Sequence, residues 1–166
     1  MCGNIGFGIG GYSLVPSGAD DRVYILECVR ESILSSVPEE ERAMSVLWIN
    51  DILSITEKNL AEGAMGSEAF ILRADDGSRS GMLWMGTSKD QFTCDSTGYI
   101  LGIYVKKDLR GKGLGRALIA SAEQWCRING HVTLTLNVGT ENGIAKNLYE
   151  SSGFRPQTVV MRKMLF

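Results

Sequence analysis

The stretch Arg-Gly-Lys-Gly-Leu-Gly at residues 110–115 combines two cationic side chains with three glycines. It follows an apolar, β-branched stretch at residues 99–105 and leads into a helical pattern that begins at Gly113. A glycine turn between a strand and a helix exposes backbone N–H groups at the positive end of the helix dipole, and glycine lets phosphate oxygens approach closely. The pattern predicts a phosphate-binding turn. Taken alone, it also fits a tight turn with a solvated basic patch.

Other glycine motifs are excluded by spacing or by context. The chain contains no GxxxxGK[ST] sequence, so it has no P-loop. Gly6-x-Gly8-x-x-Gly11 formally matches a dinucleotide fingerprint, but a predicted strand follows it where that fingerprint requires a helix. We therefore expect residues 1–11 to form a flexible tail.

A second group of residues shares one face of a later helix. Asn142, Ala145 and Tyr149 are spaced three and four residues apart, which places them on adjacent turns of a helix. Asn142 is a suitable helix cap or amide-binding residue, and Ala145 leaves room for a ligand chain. Gly153 ends this helix and Phe154 follows.

The strands and helices that position these residues are predicted from hydrophobic periodicity and from the glycines and prolines that interrupt it. Strands are predicted at residues 12–15, 69–73, 81–85, 99–105, 132–138 and 159–165. Helices are predicted at residues 20–36, 38–62, 113–129 and 142–152, and a polar loop at residues 86–97. This order predicts one mixed α/β domain over residues 12–166, with no linker and no internal repeat.

Composition narrows the class of protein. The chain has 166 residues, of which 44% are hydrophobic, and a net charge of −2, which argues against disorder, a nucleic-acid partner and a membrane surface. No apolar run is long enough to span a membrane, and no secretory signal precedes the domain. Four scattered cysteines and a single histidine, His131, predict reduced thiols in the cytoplasm and no metal site.

Together, the turn and the later helix resemble the GNAT superfamily of N-acetyltransferases, with the likeness most specific over residues 99–154. The resemblance implies a central, mostly antiparallel sheet with a splayed parallel strand pair, flanked by about four helices. The splayed strands match residues 99–105 and 132–138. It also implies acetyl-CoA as the acyl donor, no metal, an amine acceptor that is a small molecule or a protein, and a homodimer as one frequent assembly.

The resemblance also assigns roles to individual residues. Backbone groups of Ile103, Tyr104 and Val105 would pair with the pantetheine amides, and Asn142 would approach the same ligand. Tyr149 would lie near the thioester sulfur as the catalytic general acid, or would pack in the core. The pyrophosphate would bind at Arg110, Gly111, Lys112, Gly113, Leu114 and Gly115.

The general base and the acceptor stay open. A primary amine with a pKa near 10 costs roughly 4 kcal/mol to deprotonate at pH 7, so a base or a water chain must help. Asn137 stands where protein N-terminal acetyltransferases carry a glutamate, which counts against that alternative. A non-catalytic acyl-CoA sensor is a further alternative. The acceptor is expected near the two early helices and residues 86–97, where Asp90 and Asp95 would attract a cation.

The remaining candidates for the base are four carboxylates. Asp51 stands between Trp48, Ile52 and Ile55 on a predicted apolar helix face, so it is the most notable of them. The four are Glu27, Asp51, Glu57 and Glu141.

Overall fold

The computed structural model describes residues 5–37, 42–161, 163 and 165. Within these residues, one sheet forms in the order β1-β2-β3-β4-β5, in which the first four strands are antiparallel and β5 is parallel to β4. The strands are β1 (Tyr12–Pro16), β2 (Glu68–Ala74), β3 (Arg79–Lys89), β4 (Ser96–Val105) and β5 (Leu134–Leu136). The predicted mixed sheet with one parallel pair is confirmed.

Helices cover both faces of this sheet. Because side chains alternate along a strand, Ile71 faces Ile25 and Cys28 of the first helix, whereas Phe70 and Leu72 face the third helix on the other side. The helices are α1 (Arg22–Ser36), α2 (Arg42–Glu62), α3 (Leu114–Ile128) and α4 (Gly143–Ser151). Their existence and order agree with the prediction; residues 38–41, the predicted start of the second helix, lie outside the described residues.

Two strand predictions are wrong in extent. Half of the predicted polar loop at residues 86–97 is strand, because β3 continues to Lys89 and β4 begins at Ser96, and these two residues pair with each other. Polar side chains there do not prevent a ladder whose hydrogen bonds come from the backbone. The predicted strand at residues 132–138 forms only over Leu134–Leu136.

The predicted last strand at residues 159–165 is not formed in the described part of that stretch. Val159, Val160 and Met161 are exposed and have no strand pairing. The neighbouring sheet edge is β5, which is three residues long and offers few backbone groups to a further strand. An apolar, β-branched sequence is therefore insufficient without a partner edge.

Residues 5–11 lie against α3, in contrast to the expectation of a flexible tail. Ile5 is buried in the core, and Phe7 and Ile9 pack at its margin. The Gly6 carbonyl accepts a hydrogen bond from Ser121 of α3 (3.0 Å). The predicted domain boundary at residue 12 stays a prediction.

One buried carboxylate connects the start of α1 to the hairpin of β2 and β3. Asp21 is 3% exposed, and its Oδ1 accepts hydrogen bonds from Arg73 (2.8 Å) and Arg79 (2.7 Å). Its Oδ2 accepts the Gly18 N–H (3.0 Å). Burial alone would raise the pKa of Asp21, but the Gly18 hydrogen bond and the two guanidinium groups outweigh it, so the pKa is lowered. Ionised Asp21 therefore stabilises the fold.

We predict that Asp21→Asn lowers the free energy of unfolding by about 2–4 kcal/mol at pH 7, because two half-buried guanidinium groups lose their shared anion. Because the folded pKa of Asp21 is depressed, its contribution is complete above the unfolded pKa of about 4 and is lost as pH falls through the folded pKa. Denaturant titrations of both proteins between pH 3 and pH 7 measure this.

The matched control is Asp20→Asn, since only the backbone carbonyl of Asp20 binds Arg79 (2.9 Å). It should leave the free energy of unfolding nearly unchanged. A difference between wild type and Asp21→Asn that is equally large at pH 3 and pH 7 would contradict the ionic explanation.

Candidate functional site

The parallel strands β4 and β5 separate partway along the sheet. They pair only from Gly98 to Ile100 of β4, and a bulge at Leu101 interrupts the register between β4 and β3 at the same level. Beyond Ile100, the β5 side of β4 has no strand partner among the described residues. The separation opens a gap lined on one side by the last residues of β4.

The direction of the backbone groups shows which residues face this gap. Lys106 N–H donates to Ser80 O in β3 (3.0 Å), and hydrogen-bonding direction alternates along an antiparallel strand. The groups of Ile103 and Val105 therefore point into the gap, whereas those of Tyr104 point toward β3. Arg110 Nε donates to Val105 O (3.1 Å), which agrees with this assignment. Of the three residues predicted to bind pantetheine, Ile103 and Val105 therefore face the gap, whereas Tyr104 pairs with β3 within the sheet.

The gap leads to the predicted phosphate turn at the start of α3. Gly111 (φ 77°) and Gly113 (φ 82°) adopt left-handed conformations that other residues reach only with strain. The first intrahelical hydrogen bond runs from Ala117 N–H to Gly113 O (3.0 Å), so the N–H groups of Leu114 to Arg116 precede it. Gly113 caps the helix without a side chain. These N–H groups form a positive backbone surface.

Three basic residues, Arg110, Lys112 and Arg116, lie in or next to the turn. Arg110 lies over the Tyr104 ring at 5.7 Å, and Arg116 donates to Ser151 of α4 (3.2 Å). Lys112 is exposed. The long, exposed side chains of these residues can reorient toward an anion at low cost compared with a buried pair.

Helix α4 packs on the turn from the far side of the gap. A Cβ built on Gly115 would lie 2.9 Å from Leu148 Cδ2, so glycine allows α3 and α4 to approach. Asn142 caps α4 by accepting the Ala145 N–H at its Oδ1 (3.1 Å). Its amide nitrogen donates to Ser36 of α1 (3.4 Å). Both polar atoms of Asn142 thus have protein partners, and its contact with a cofactor stays a prediction.

Tyr149 is buried on α4 and lies edge-on to Phe154, with ring centroids 5.7 Å apart. Burial raises the pKa of Tyr149 to about 12, so the hydroxyl is protonated throughout the physiological range. No hydrogen bond joins this hydroxyl to the described part of the chain. The group can therefore donate a proton without first breaking an existing bond.

Helix α1 closes the gap on the opposite face of the sheet. Glu31 accepts hydrogen bonds from Tyr104 of β4 (3.0 Å) and pairs with Lys107 (3.2 Å). One turn later, Ser36 contacts the loop after β5, where a Cβ on Gly139 would lie 2.9 Å from Ser36 Cβ. The last turns of α1 therefore connect both sides of the gap.

Glu31 was missed by the sequence analysis, since nothing in the sequence near residue 31 indicates that it reaches β4. The hydrogen bonds from Lys107 and then Tyr104 lower the pKa of Glu31, so this carboxylate is ionised. It can therefore attract a cationic group, but it is a poor general base. Burial, together with this anion, raises the pKa of Tyr104 to about 12.

The carboxylates predicted as bases are exposed. Asp51 lies on an exposed part of α2, with Trp48 and Ile55 also exposed, so the predicted apolar face is not the buried one. Ile49 and Thr56 are buried instead. The same exposure holds for Glu27, Glu57 and Glu141.

In the loop at residues 90–95, the side chain of Asp90 forms hydrogen bonds with the backbone of the same loop. Hydrogen bonds from the backbone of Thr93 and Phe92 lower the pKa of Asp90, whose Oδ1 accepts both N–H groups (3.0 and 2.8 Å). Asp90 therefore organises the turn, as Asx turns commonly do. Asp95 is exposed.

The single histidine connects three segments. His131 contacts Thr87 of β3 through Nε2 (3.1 Å) and Ser96 of β4 through Nδ1 (3.3 Å), and it stacks on Trp125. Among the described residues, no group of three potential metal ligands occurs. Likewise, none of the helices they form is both long and apolar enough to cross a membrane.

This arrangement is shared with known proteins. Residues 33–154 match the acetyltransferase (GNAT) family. The chain belongs to this family. As a GNAT protein, it is 34% identical over 85 residues to the uncharacterized N-acetyltransferase YycN of Bacillus subtilis (strain 168), a match that covers 51% of this chain and 53% of YycN. The aligned part is thus about half of that relative's length.

Solved structures support the same fold. A GCN5-related N-acetyltransferase from Ralstonia eutropha JMP134 is similar with a TM-score of 0.76 and 18% identity, over 93% of this chain and 99% of that one. The aminoglycoside N-acetyltransferase AAC(6')-Iy in complex with CoA has a TM-score of 0.68 and 16% identity, over 93% and 94% of the two chains. At these identities, the likeness concerns the fold, and CoA binding is a property of the second protein.

We predict that Asn142→Ala lowers the free energy of unfolding by about 1 kcal/mol, because α4 loses its side-chain cap. Asn142→Asp, which retains an oxygen for the Ala145 N–H, should cost less than half as much. Thermal or denaturant unfolding of the three proteins measures the effect. Equal losses for Ala and Asp would show that the contact to Ser36, rather than the cap, is what matters.

Proposed function

We propose that this protein transfers an acetyl group from acetyl-CoA to a primary amine by direct attack of the amine in a ternary complex. The observation that carries the proposal is the continuity of the gap with the turn at the start of α3. The gap offers backbone groups of Ile103 and Val105 that have no strand partner, and the turn offers the N–H groups that follow Gly113 and precede the first intrahelical hydrogen bond.

This combination fits the chemistry of CoA. The pantetheine arm carries two amides that can pair with a free strand edge, as a neighbouring strand would. Its pyrophosphate is an anion suited to a helix N-terminus with glycines and surrounding basic side chains. One extended ligand would thus satisfy the strand edge and the helix N-terminus together, which favours CoA over a free nucleotide or inorganic phosphate.

Tyr149 is the proposed general acid for the departing thiolate. Its pKa of about 12 keeps the hydroxyl protonated, and the helix that carries it, α4, packs on the start of α3 through Leu148 beside Gly115. A proton donated from Tyr149 oxygen to the CoA sulfur, as the C–S bond breaks, leaves a neutral thiol. The phenolate then regains a proton from solvent, directly or through the proton released by the amine.

The proton of the amine leaves by a different route. Glu27, Asp51, Glu57 and Glu141 are all exposed, so none of them has the buried setting that is typical of a dedicated general base. This favours transfer to solvent through water. The acceptor would approach from the side of α1, where ionised Glu31 attracts a cationic amine before it loses its proton.

We predict that the protein releases free CoA thiol from acetyl-CoA only when a primary amine is present. The panel should include a simple alkylamine, an amino sugar and a peptide with a free N-terminus, with an amine-free reaction as the control for hydrolysis. Release with the peptide alone would identify a protein N-terminal acetyltransferase. Tight acetyl-CoA binding by calorimetry without release on any amine would refute amine acetylation and leave a sensor.

We also predict that Tyr149→Phe lowers kcat by about 10²-fold, while the KM for acetyl-CoA and the melting temperature stay close to wild type. The reason is that the hydroxyl acts on the leaving group and has no described partner in the fold. Tyr24→Phe is the matched control, since it also removes a single tyrosine hydroxyl but from α1, beside the cluster of Ile25 and Cys28. An unchanged kcat in Tyr149→Phe would exclude this residue as the acid.

A further inference from the structure

The segment of residues 5–11, here called the N-terminal segment, lies beside the proposed CoA site. Residues 5–8 form neither helix nor strand, and a bend and a turn follow at residues 9–11. Burial alternates along the segment: Ile5 is buried and Phe7 and Ile9 are half-buried in the core next to α3, while Gly6 and Gly8 are exposed. Gly11 O accepts the Asp75 N–H (3.1 Å), which ties the end of the segment to the hairpin of β2 and β3.

The N-terminal segment contacts α3 at two separated places. At one end, Gly6 N–H donates to Gln124 Oε1 (3.0 Å) and Gly6 O accepts from Ser121, whose side chain is buried. At the other end, Ile9 Cδ1 lies 3.7 Å from the position of a Cβ on Gly113. Gly113 and Gln124 are eleven residues apart on the helix, or about 16 Å. The segment therefore braces the first three turns of α3.

The middle of this contact is open. A cavity of about 350 Å³ lies between the segment and the helix. Its lining residues are Gly6, Gly8, Gly113, Arg116, Ala117, Ala120, Ser121 and Gln124. The hydrogen bonds at Gly6 and the side chain of Ile9 flank this cavity.

The glycines of the turn contribute no side chains that could hold it in place. Gly111 and Gly113 are exposed, have positive φ, and have no Cβ that would limit their backbone freedom. A phosphate site at a helix N-terminus depends on N–H groups that are already oriented before the ligand arrives. An apolar side chain packed against Gly113 from outside restricts the turn without occupying the place of a phosphate.

We propose that the N-terminal segment is a positioning element for the phosphate turn, acting through Ile9 on Gly113 and through Gly6 on Gln124 and Ser121. The proposal rests on the proposed function, since it assumes that the pyrophosphate of acetyl-CoA binds at this turn. The segment sets the affinity for acetyl-CoA. It touches neither the thioester nor the acceptor, so it leaves the chemical step unchanged.

Ile9→Ala and Gln124→Ala test the two ends of the segment. Each should raise the KM for acetyl-CoA, and the Kd for CoA measured by calorimetry, by about three- to tenfold, with kcat and the acceptor KM within about twofold of wild type. Gln124→Glu retains an oxygen for the Gly6 N–H and should restore the wild-type Kd. Ile25→Ala controls for general destabilisation, because Ile25 is buried on the other face of the sheet.

A measurement without ligand separates this proposal from the proposed function. Hydrogen exchange of the amides at residues 113–116 should be faster in Ile9→Ala than in wild type, and unchanged in Ile25→Ala at equal global stability. Unchanged exchange in Ile9→Ala, or a CoA Kd that rises equally in Ile25→Ala, overturns the positioning role. A wild-type protein that binds no CoA refutes the proposed function and, with it, the assumed role in acetyl-CoA affinity, whatever the exchange result.

Discussion

The separation of β4 from β5 is the constraint on which the remaining structure depends. Two parallel strands that stop pairing after Ile100 leave backbone groups of Ile103 and Val105 without a strand partner, and such groups need another hydrogen-bond partner, as Arg110 Nε provides for Val105 O. The bulge at Leu101 turns β4 at this level. Helix α1 then spans the gap on one face, and α3 and α4 flank it on the other. The gap is thus built by the sheet and maintained by three helices from different parts of the chain.

The parts of this site that could be predicted from the sequence are local. The turn before α3 follows from glycines that have positive φ in the structure, and α4 begins at a residue that caps it through its own side chain. The closure of the gap by Glu31 and Ser36 could not be predicted, because both contacts join segments more than seventy residues apart. For the same reason the strand predicted at residues 159–165 does not form in the part of that stretch that the structure describes: its β-propensity is local, whereas strand formation requires a partner edge.

In the proposed reaction, the residues that would bind the acyl donor and those that would meet the amine acceptor differ in burial. The donor half has a buried hydroxyl, oriented N–H groups and a free strand edge, all fixed by packing. On the side of α1, where the acceptor is proposed to approach, the anion Glu31 is already shared between Tyr104 and Lys107. An anion held by two partners attracts a cationic amine but is a weak proton acceptor, since both partners favour its charged form. Under the proposed function, selectivity for the amine would therefore depend on charge and access more than on a dedicated base.

The rigidity of the donor half has to come from somewhere other than the turn, because glycines that permit close approach of a phosphate also permit disorder. Lys112 and Arg116 cannot supply it, since their side chains are exposed and long. The N-terminal segment offers two backbone hydrogen bonds at Gly6, and its Ile9 side chain lies beside Gly113. In the proposed positioning role, Leu148 of α4 restricts the turn at Gly115 and the N-terminal segment restricts it at Gly113. The backbone N–H groups of the turn would then already be oriented when an anion arrives.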